Sequence, residues 1–168
     1  MTTITQPLRD EHKELMPHVE TLRLAGDSIR EALTAADRAL IDNARAFLTH
    51  HLIPHAHAEE KALYPVVRKV MGSEEGTATM SRDHIEVERL TQELEILRSQ
   101  TTQTEITLQQ ANSLRRVLYG LYTLVKVHFA KEEEVYLPLL DVRLKPEEAK
   151  AMFSAMEAAA QEAKAQLH

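Results

Sequence analysis

The sequence predicts an all-α protein: an up-down-up-down four-helix bundle with an additional C-terminal helix. Three observations predict it. Apolar residues recur at alternating spacings of three and four along the long segments, which is the helical period. Ala, Leu, Glu and Gln dominate a chain with only four glycines and 4% aromatic residues, a composition that favours helix. The links between segments are short, so neighbouring helices are expected to run antiparallel. At 168 residues the chain suits one domain with a real core.

The first segment carries Leu8, His12, Leu15, Val19, Leu22, Gly26, Ile29 and Leu33 on one stripe. The second runs from about Asp37 to Met71, with Ile41, Ala44, Leu48, Leu52, His55, Glu59, Ala62 and Val66 on one side. Gly72 ends it as a C-terminal cap. The third runs from about Met80 to Arg98. In the polar link 99–105, Thr102-x-x-Glu105 reads as a capping box. The fourth stripe is Leu114, Leu118, Leu121, Val125, His128, Glu132, Val135 and Leu139. Pro146, a good first-turn residue, opens a fifth helix. Its stripe of Ala149, Met152, Phe153, Met156 and Ala160 is expected to pack on the outside of the bundle. The domain reading is therefore 1–143 for the bundle and 144–168 for the C-terminal helix. Pro17, Pro54, Pro65 and Pro138 fall inside these patterns, where each removes a backbone hydrogen bond. The apolar period continues across each one, so kinks are expected rather than breaks. Gly120 inside the fourth pattern points to a close helix approach.

The bulk numbers exclude several classes of function. Net charge is -6 and no Lys/Arg stripe is visible, which argues against nucleic acid as a partner. There is no cysteine, so disulfides, thiolate metal sites, iron–sulfur clusters and Cys nucleophiles are ruled out. The N-terminus has neither a basic n-region nor an apolar h-region, and no apolar run approaches membrane-spanning length. The expectation is a soluble cytoplasmic protein.

One pattern carries chemistry. His-x-x-x-Glu-Glu occurs twice, at His55 to Glu60 and at His128 to Glu133. His55, Glu59 and Pro65 each lie 73 residues before His128, Glu132 and Pro138. His12 precedes His55 by 43 residues and His84 precedes His128 by 44. The chain therefore reads as two similar halves, each offering two imidazoles and at least one carboxylate. His12, His55, Glu59, His128 and Glu132 occupy core positions on their stripes, not polar faces. An unpaired ionised carboxylate buried in a bundle costs several kcal/mol, and two facing each other cost more. Two metal ions compensate that charge, and His with Glu at i, i+4 is metal-ligand spacing. A lone core His is most often a hydrogen-bonded core residue, but six residues in a repeated arrangement are not explained that way. Other metal motifs are absent: His-Glu-x-x-His, Glu-x-x-His and the EF-hand loop do not occur.

From Leu8 to Leu140 the chain resembles the hemerythrin-like (HHE) cation-binding family. The most specific pieces are Leu52-Ile-Pro-His55-Ala-His-Ala-Glu59-Glu-Lys-Ala-Leu-Tyr-Pro65 and His128-Phe-Ala-Lys-Glu132-Glu-Glu-Val-Tyr-Leu-Pro138. The resemblance implies two non-haem irons joined by a bridging oxo or hydroxo group. By resemblance His12 and His55 bind one iron, His84 and His128 bind the other, and Glu59 and Glu132 bridge them. The oxygen-carrying members have His-x-x-x-His on the third helix and a fourth-helix Asp one residue further along. This chain has His84-x-x-x-Glu88 and Glu132 at i+4, and Met16 in the position equivalent to Glu88. Glu88 is then either an additional ligand or a rim carboxylate, and both readings stand.

The other histidines carry less. His57 is expected to face outward, and His18 and His50 to be exposed. His168 is terminal. His51, one turn before His55, is a candidate to back a ligand. Tyr64, Tyr119, Tyr122 and Tyr136 read as amphipathic packing, and Tyr122 is the one considered for a hydroxyl near the site. The expected function is reaction with O2 or peroxide, with catalase-like peroxide decomposition first. The alternative is reversible binding, storage or sensing of O2 or NO without turnover. Expected partners are these small molecules, with no nucleic acid and no membrane. The protein is expected to be a monomer or a homodimer that uses the fifth helix as its face.

Overall fold

The computed structural model describes residues 3–166, so His168 lies outside the described residues. Five helical rods follow one another. They are α1 (Gln6–Ser28), α2 (35–71), α3 (Ala78–Gln100), α4 (108–143) and α5 (Pro146–Ala165). Helices α1 to α4 form the four-helix bundle. In it α1 packs on α2 and α4, and α3 packs on α4. The fifth helix lies along residues 53–63 of α2 and buries Ala149, Met152, Met156 and Ala159. No described helix is long and apolar enough to cross a membrane.

The ends are set by local chemistry. Thr34 and Asp37 form a capping box at the start of α2, and Thr107 and Gln110 form one at the start of α4. The box expected at Thr102 and Glu105 does not form. That stretch is pinned instead to the α1–α2 loop, where Ile106 N–H donates to Glu31 O and Leu33 N–H to Thr104 O. Gly72 closes α2 in the left-handed conformation at φ 66°, as its position predicts. The first stripe is correct about burial as far as Leu33, but the helix stops at Ser28 and Ile29 is extended. Close helix approach occurs at Gly26, where a Cβ would sit 2.7 Å from Tyr119 Cε1. At Gly120 a Cβ would meet Leu90 Cδ1 at 3.7 Å, an ordinary contact, so the approach expected there is not a tight one.

The prolines neither break nor sharply end their helices. Pro54, Pro65 and Pro138 each follow a five-residue π-helical turn: Leu48–Leu52, Glu59–Leu63 and Glu132–Tyr136. In each case the residue before the proline bonds five residues back: Ile53 to Leu48, Tyr64 to Glu59 and Leu137 to Glu132. A proline ring collides with the carbonyl four residues earlier in an α-helix, and a wider turn makes room for it. Each such turn adds a residue and rotates everything after it by one position. Hence Leu63, Tyr64 and Val67 are the fully buried residues after Glu59, while Val66 is only half-buried. After Glu132 it is Tyr136, Leu137 and Leu140 that are buried, while Val135 is exposed.

The core divides into two apolar bodies. One contains Leu15, Leu52, Val87, Val125 and Phe129, and the other contains Leu8, Ala58, Met80 and Tyr136. Along each of the four bundle helices a histidine lies between a residue of the first body and one of the second. The polar residues thus form a layer between two hydrophobic halves.

Candidate metal centre

All six residues expected as ligands meet in that layer. His12 comes from α1, His55 and Glu59 from α2, His84 from α3, and His128 and Glu132 from α4. All six are buried, and both glutamates are 0% exposed. His12, His55, Glu59 and Glu132 each offer a ligand atom within 4.8 Å of the others, and Glu59, His84 and His128 form a second such group. Glu59 is shared. Its Oε1 lies 2.9 Å from His55 Nε2 and 3.8 Å from His12 Nε2, and its Oε2 lies 3.2 Å from His84 Nε2. Glu132 Oε2 lies 3.4 Å from His12 Nε2, and Oε1 lies 3.5 Å from His128 Nε2. The π-helical turns begin at Glu59 and Glu132, so the standard i, i+4 spacing from each His is kept up to the carboxylate.

Four further carboxylates hold the imidazoles from behind. His12 Nδ1 donates to Glu133 (2.9 Å), His55 Nδ1 to Glu11 (3.0 Å), His84 Nδ1 to Glu60 (2.8 Å) and His128 Nδ1 to Asp83 (3.0 Å). A carboxylate only accepts, so each bond fixes the proton on Nδ1 and turns the Nε2 lone pair inward. This is the arrangement that orients metal-binding histidines. The pattern follows the repeat. The residue before the first His of each half (Glu11, Asp83) holds the second His of that same half. The residue after the core Glu (Glu60, Glu133) holds the first His of the other half. Three of these carboxylates are themselves anchored: Glu133 by Arg9 at 2.5 Å, Asp83 by Lys131, and Glu60 by Ser81 at 3.0 Å. These four were missed in the sequence, although the doublets Glu11-His12, Asp83-His84, Glu59-Glu60 and Glu132-Glu133 were visible there.

Tyr64 was also missed as a site residue. Its hydroxyl donates to Glu132 Oε1 at 2.9 Å and lies 3.4 Å from His84 Nε2 and 3.3 Å from His128 Nε2. Tyr122 stays with Lys126 on the surface side. The signal for Tyr64 is the proline after it, which forces the wide turn that swings it inward. Glu88 is not brought into the layer; it is half-buried, and its Oε1 lies 2.8 Å from His57 Nε2. His57 is exposed, as expected. His18, His50 and His51 are exposed too, and His51 stacks with His18 instead of backing a ligand.

The electrostatics call for a cation. Glu59 Oε1 and Oε2, Glu132 Oε2, His12 Nε2 and His55 Nε2 are buried without a well-aligned hydrogen bond, although His55 Nε2 and Glu59 Oε1 approach to 2.9 Å. Burial by itself would lower the pKa of His55, but Glu59 and Glu11 overcome it and hold it well above the usual imidazole range. Burial likewise opposes charge on His128, yet Asp83, Glu132 and Glu59 push it up to about 11. Burial raises Glu59, but His55, His12 and His128 hold its carboxyl well below the ordinary range. Burial, together with the Glu59 and Glu132 charges, drives the Tyr64 phenol far upward. Protons are thus drawn to the imidazoles by the same field that would hold metal. The orphaned oxygens and nitrogens fit a pair of cations with nitrogen and oxygen ligands.

A small cavity adjoins the layer, lined by Leu52, Ala56, Val87, Val125 and Phe129 together with His55, Glu59, His84 and His128. It offers about 10 Å³ for the centre of a water-sized molecule.

The family model described as Hemerythrin HHE cation binding domain matches residues 3–140. Nothing among the curated proteins and nothing among the solved structures matches the chain.

Proposed function

The chain belongs to the hemerythrin HHE cation-binding family, and on that premise we propose that it holds two non-haem irons and decomposes hydrogen peroxide. The observation that carries the reading is the set of buried Glu59, Glu132, His12 and His55 atoms, without well-aligned hydrogen bonds, converging on one layer. In this reading His12 and His55 hold one ion, His84 and His128 hold the other, and Glu59 and Glu132 lie between them. Tyr64, within 3.4 Å of both His84 and His128 Nε2, adds a phenolic oxygen on their side. Once bound there, a pair of irons would supply two-electron redox chemistry toward peroxide.

The rest falls to the chain's own groups. The backing carboxylates keep four Nε2 lone pairs aimed inward. Leu52, Val87, Val125 and Phe129 keep bulk water out of the cavity. Only two histidines would face each ion, and Glu88 lies outside the layer against His57, so few protein ligands would crowd the centre. That openness favours peroxide turnover over stable oxygen carriage. The apolar lining of the cavity supports a second reading, reversible binding of O2 or NO without turnover. We further propose that the protein acts in the cytoplasm, as a monomer or homodimer.

Iron-reconstituted protein should contain two irons per chain and release O2 from peroxide over many turnovers. A stable O2 adduct that bleaches on degassing, with no peroxide turnover, would establish the second reading. Absence of metal in iron-replete protein would overturn both.

A further inference from the structure

We propose that small ligands reach the buried layer through the seam between α2 and α3, and that the His57–Glu88 pair is the clasp that closes it. This rests on the metal-centre reading above.

The cavity beside the layer is walled by α2, α3 and α4, with no residue from α1 or α5. Its flank toward α1 is shut by the His12 ring stacked on Phe129, with centroids 4.3 Å apart and planes 12° from parallel. The α3–α4 seam is packed extensively and pinned by Asp83, which accepts from both His128 and Lys131. The α2–α3 seam is different. It packs less extensively and is held by discrete polar pairs. At one end Arg98 holds Asp42 at 2.9 Å and Arg45 holds Glu95. At the other end Glu60 accepts from His84 and Ser81. Between these stands the His57–Glu88 bond at 2.8 Å.

Its place is what matters. Ala56 and Val87 line the cavity, and His57 and Glu88 are the next residues in each helix. The clasp therefore sits beside the cavity wall, with two small side chains behind it. His57 is 50% exposed and Glu88 40%, so both ends of the bond face solvent. An exposed pair of this kind is worth little and opens readily. The space behind it, about 10 Å³, is about enough for one water-sized molecule, so anything longer enters only when the wall parts. The residue at Glu88 thus sets the rate of admission.

The test is the rate at which azide binds the diferric protein, followed by stopped-flow absorbance at high salt, where loss of the Glu88 charge does not by itself attract the anion. His57→Ala and Glu88→Ala should each raise the on-rate about two- to fivefold, with iron content unchanged. The exchanged variant carrying both His57→Glu and Glu88→His should return toward the wild-type rate. On-rates equal to wild type in both alanine variants, at full iron content, would overturn the clasp. Loss of iron in Glu88→Ala alone would also overturn it, by making Glu88 a ligand. A wild-type chain that binds no iron would overturn the metal reading and this one with it.

Discussion

Tyr64 and Leu137 occupy equivalent places in the two halves of the chain. Each is the first residue after a π-helical turn, each precedes a proline, and each donates its backbone N–H five residues back, to Glu59 and to Glu132. Both are fully buried. One half therefore places a phenol there and the other a hydrocarbon, which makes the two His/Glu groups chemically unequal.

Tyr64→Phe should keep the fold and most of the metal. It removes one buried hydrogen bond to Glu132, a loss of about 1 kcal/mol. If the phenol coordinates ferric iron, the variant also loses a visible charge-transfer band that the parent shows. Absorption spectra of the two iron-loaded proteins decide this, and identical spectra would exclude coordination by Tyr64.

Glu59→Ala should abolish metal binding at both positions, because Glu59 is the carboxylate common to both ligand groups. Glu132→Ala should lose most of the metal as well. His57→Ala should keep it, since His57 points to solvent. Iron per chain is the measurement, and iron stripped by His57→Ala but retained by Glu59→Ala would reverse the assignment of helix faces.

The backing carboxylates should matter unequally. Asp83→Asn should weaken metal binding by about 10- to 100-fold, measured by competition with a chelator. Asp83 is itself held by Lys131, so its position is fixed. Glu11 is 48% exposed, so Glu11→Gln should cost less than Asp83→Asn. Equal losses would show that solvent exposure does not weaken the bond to His55.

Metal uptake should expel protons. In the metal-free protein His55 is held well above the usual imidazole range and His128 is pushed up to about 11. Both folded values exceed the unfolded value of about 6.5. Their contribution to stability is therefore fully present below pH about 6.5 and is lost as pH rises toward 11. Across that window the metal-free protein should melt at progressively lower temperature, while metal affinity rises because fewer protons compete. Melting curves at pH 7 and 9.5, with and without metal, measure both trends. A metal-free melting temperature that rises with pH would contradict the site's electrostatics.

The fold and the six residues that meet in the buried layer were largely legible because both depend on a period of three to four residues. His12, Leu15 and Val19, or Leu52, His55 and Glu59, fall on one face by that arithmetic alone. Legibility fails where the period changes. Beyond Glu59 and Glu132 the wide turns rotate the buried face by one residue, so Val135 reads as core and is exposed, while Tyr64 is drawn into the site. The signal was the Tyr64-Pro65 and Leu137-Pro138 pairs, read as kinks because proline was weighed only for the hydrogen bond it removes. The end of α1 was overrun because Ile29 and Leu33 are buried in a loop as deeply as they would be in a helix. Glu88 was considered as a ligand because it stands four residues after His84. Sequence spacing alone does not reveal a partner on another helix, and His57 is that partner.

The exchange of carboxylates between the halves has a consequence for assembly. Glu60, encoded in the first half, steadies His84 of the second, and Glu133 steadies His12 of the first. Neither half contains a self-sufficient pocket, so a fragment ending in the 72–77 connection would lack the support for its own first histidine. Filling either position should tighten the scaffold of the other. Protein given half its complement of iron should therefore divide into empty and doubly filled molecules, with few holding a single ion.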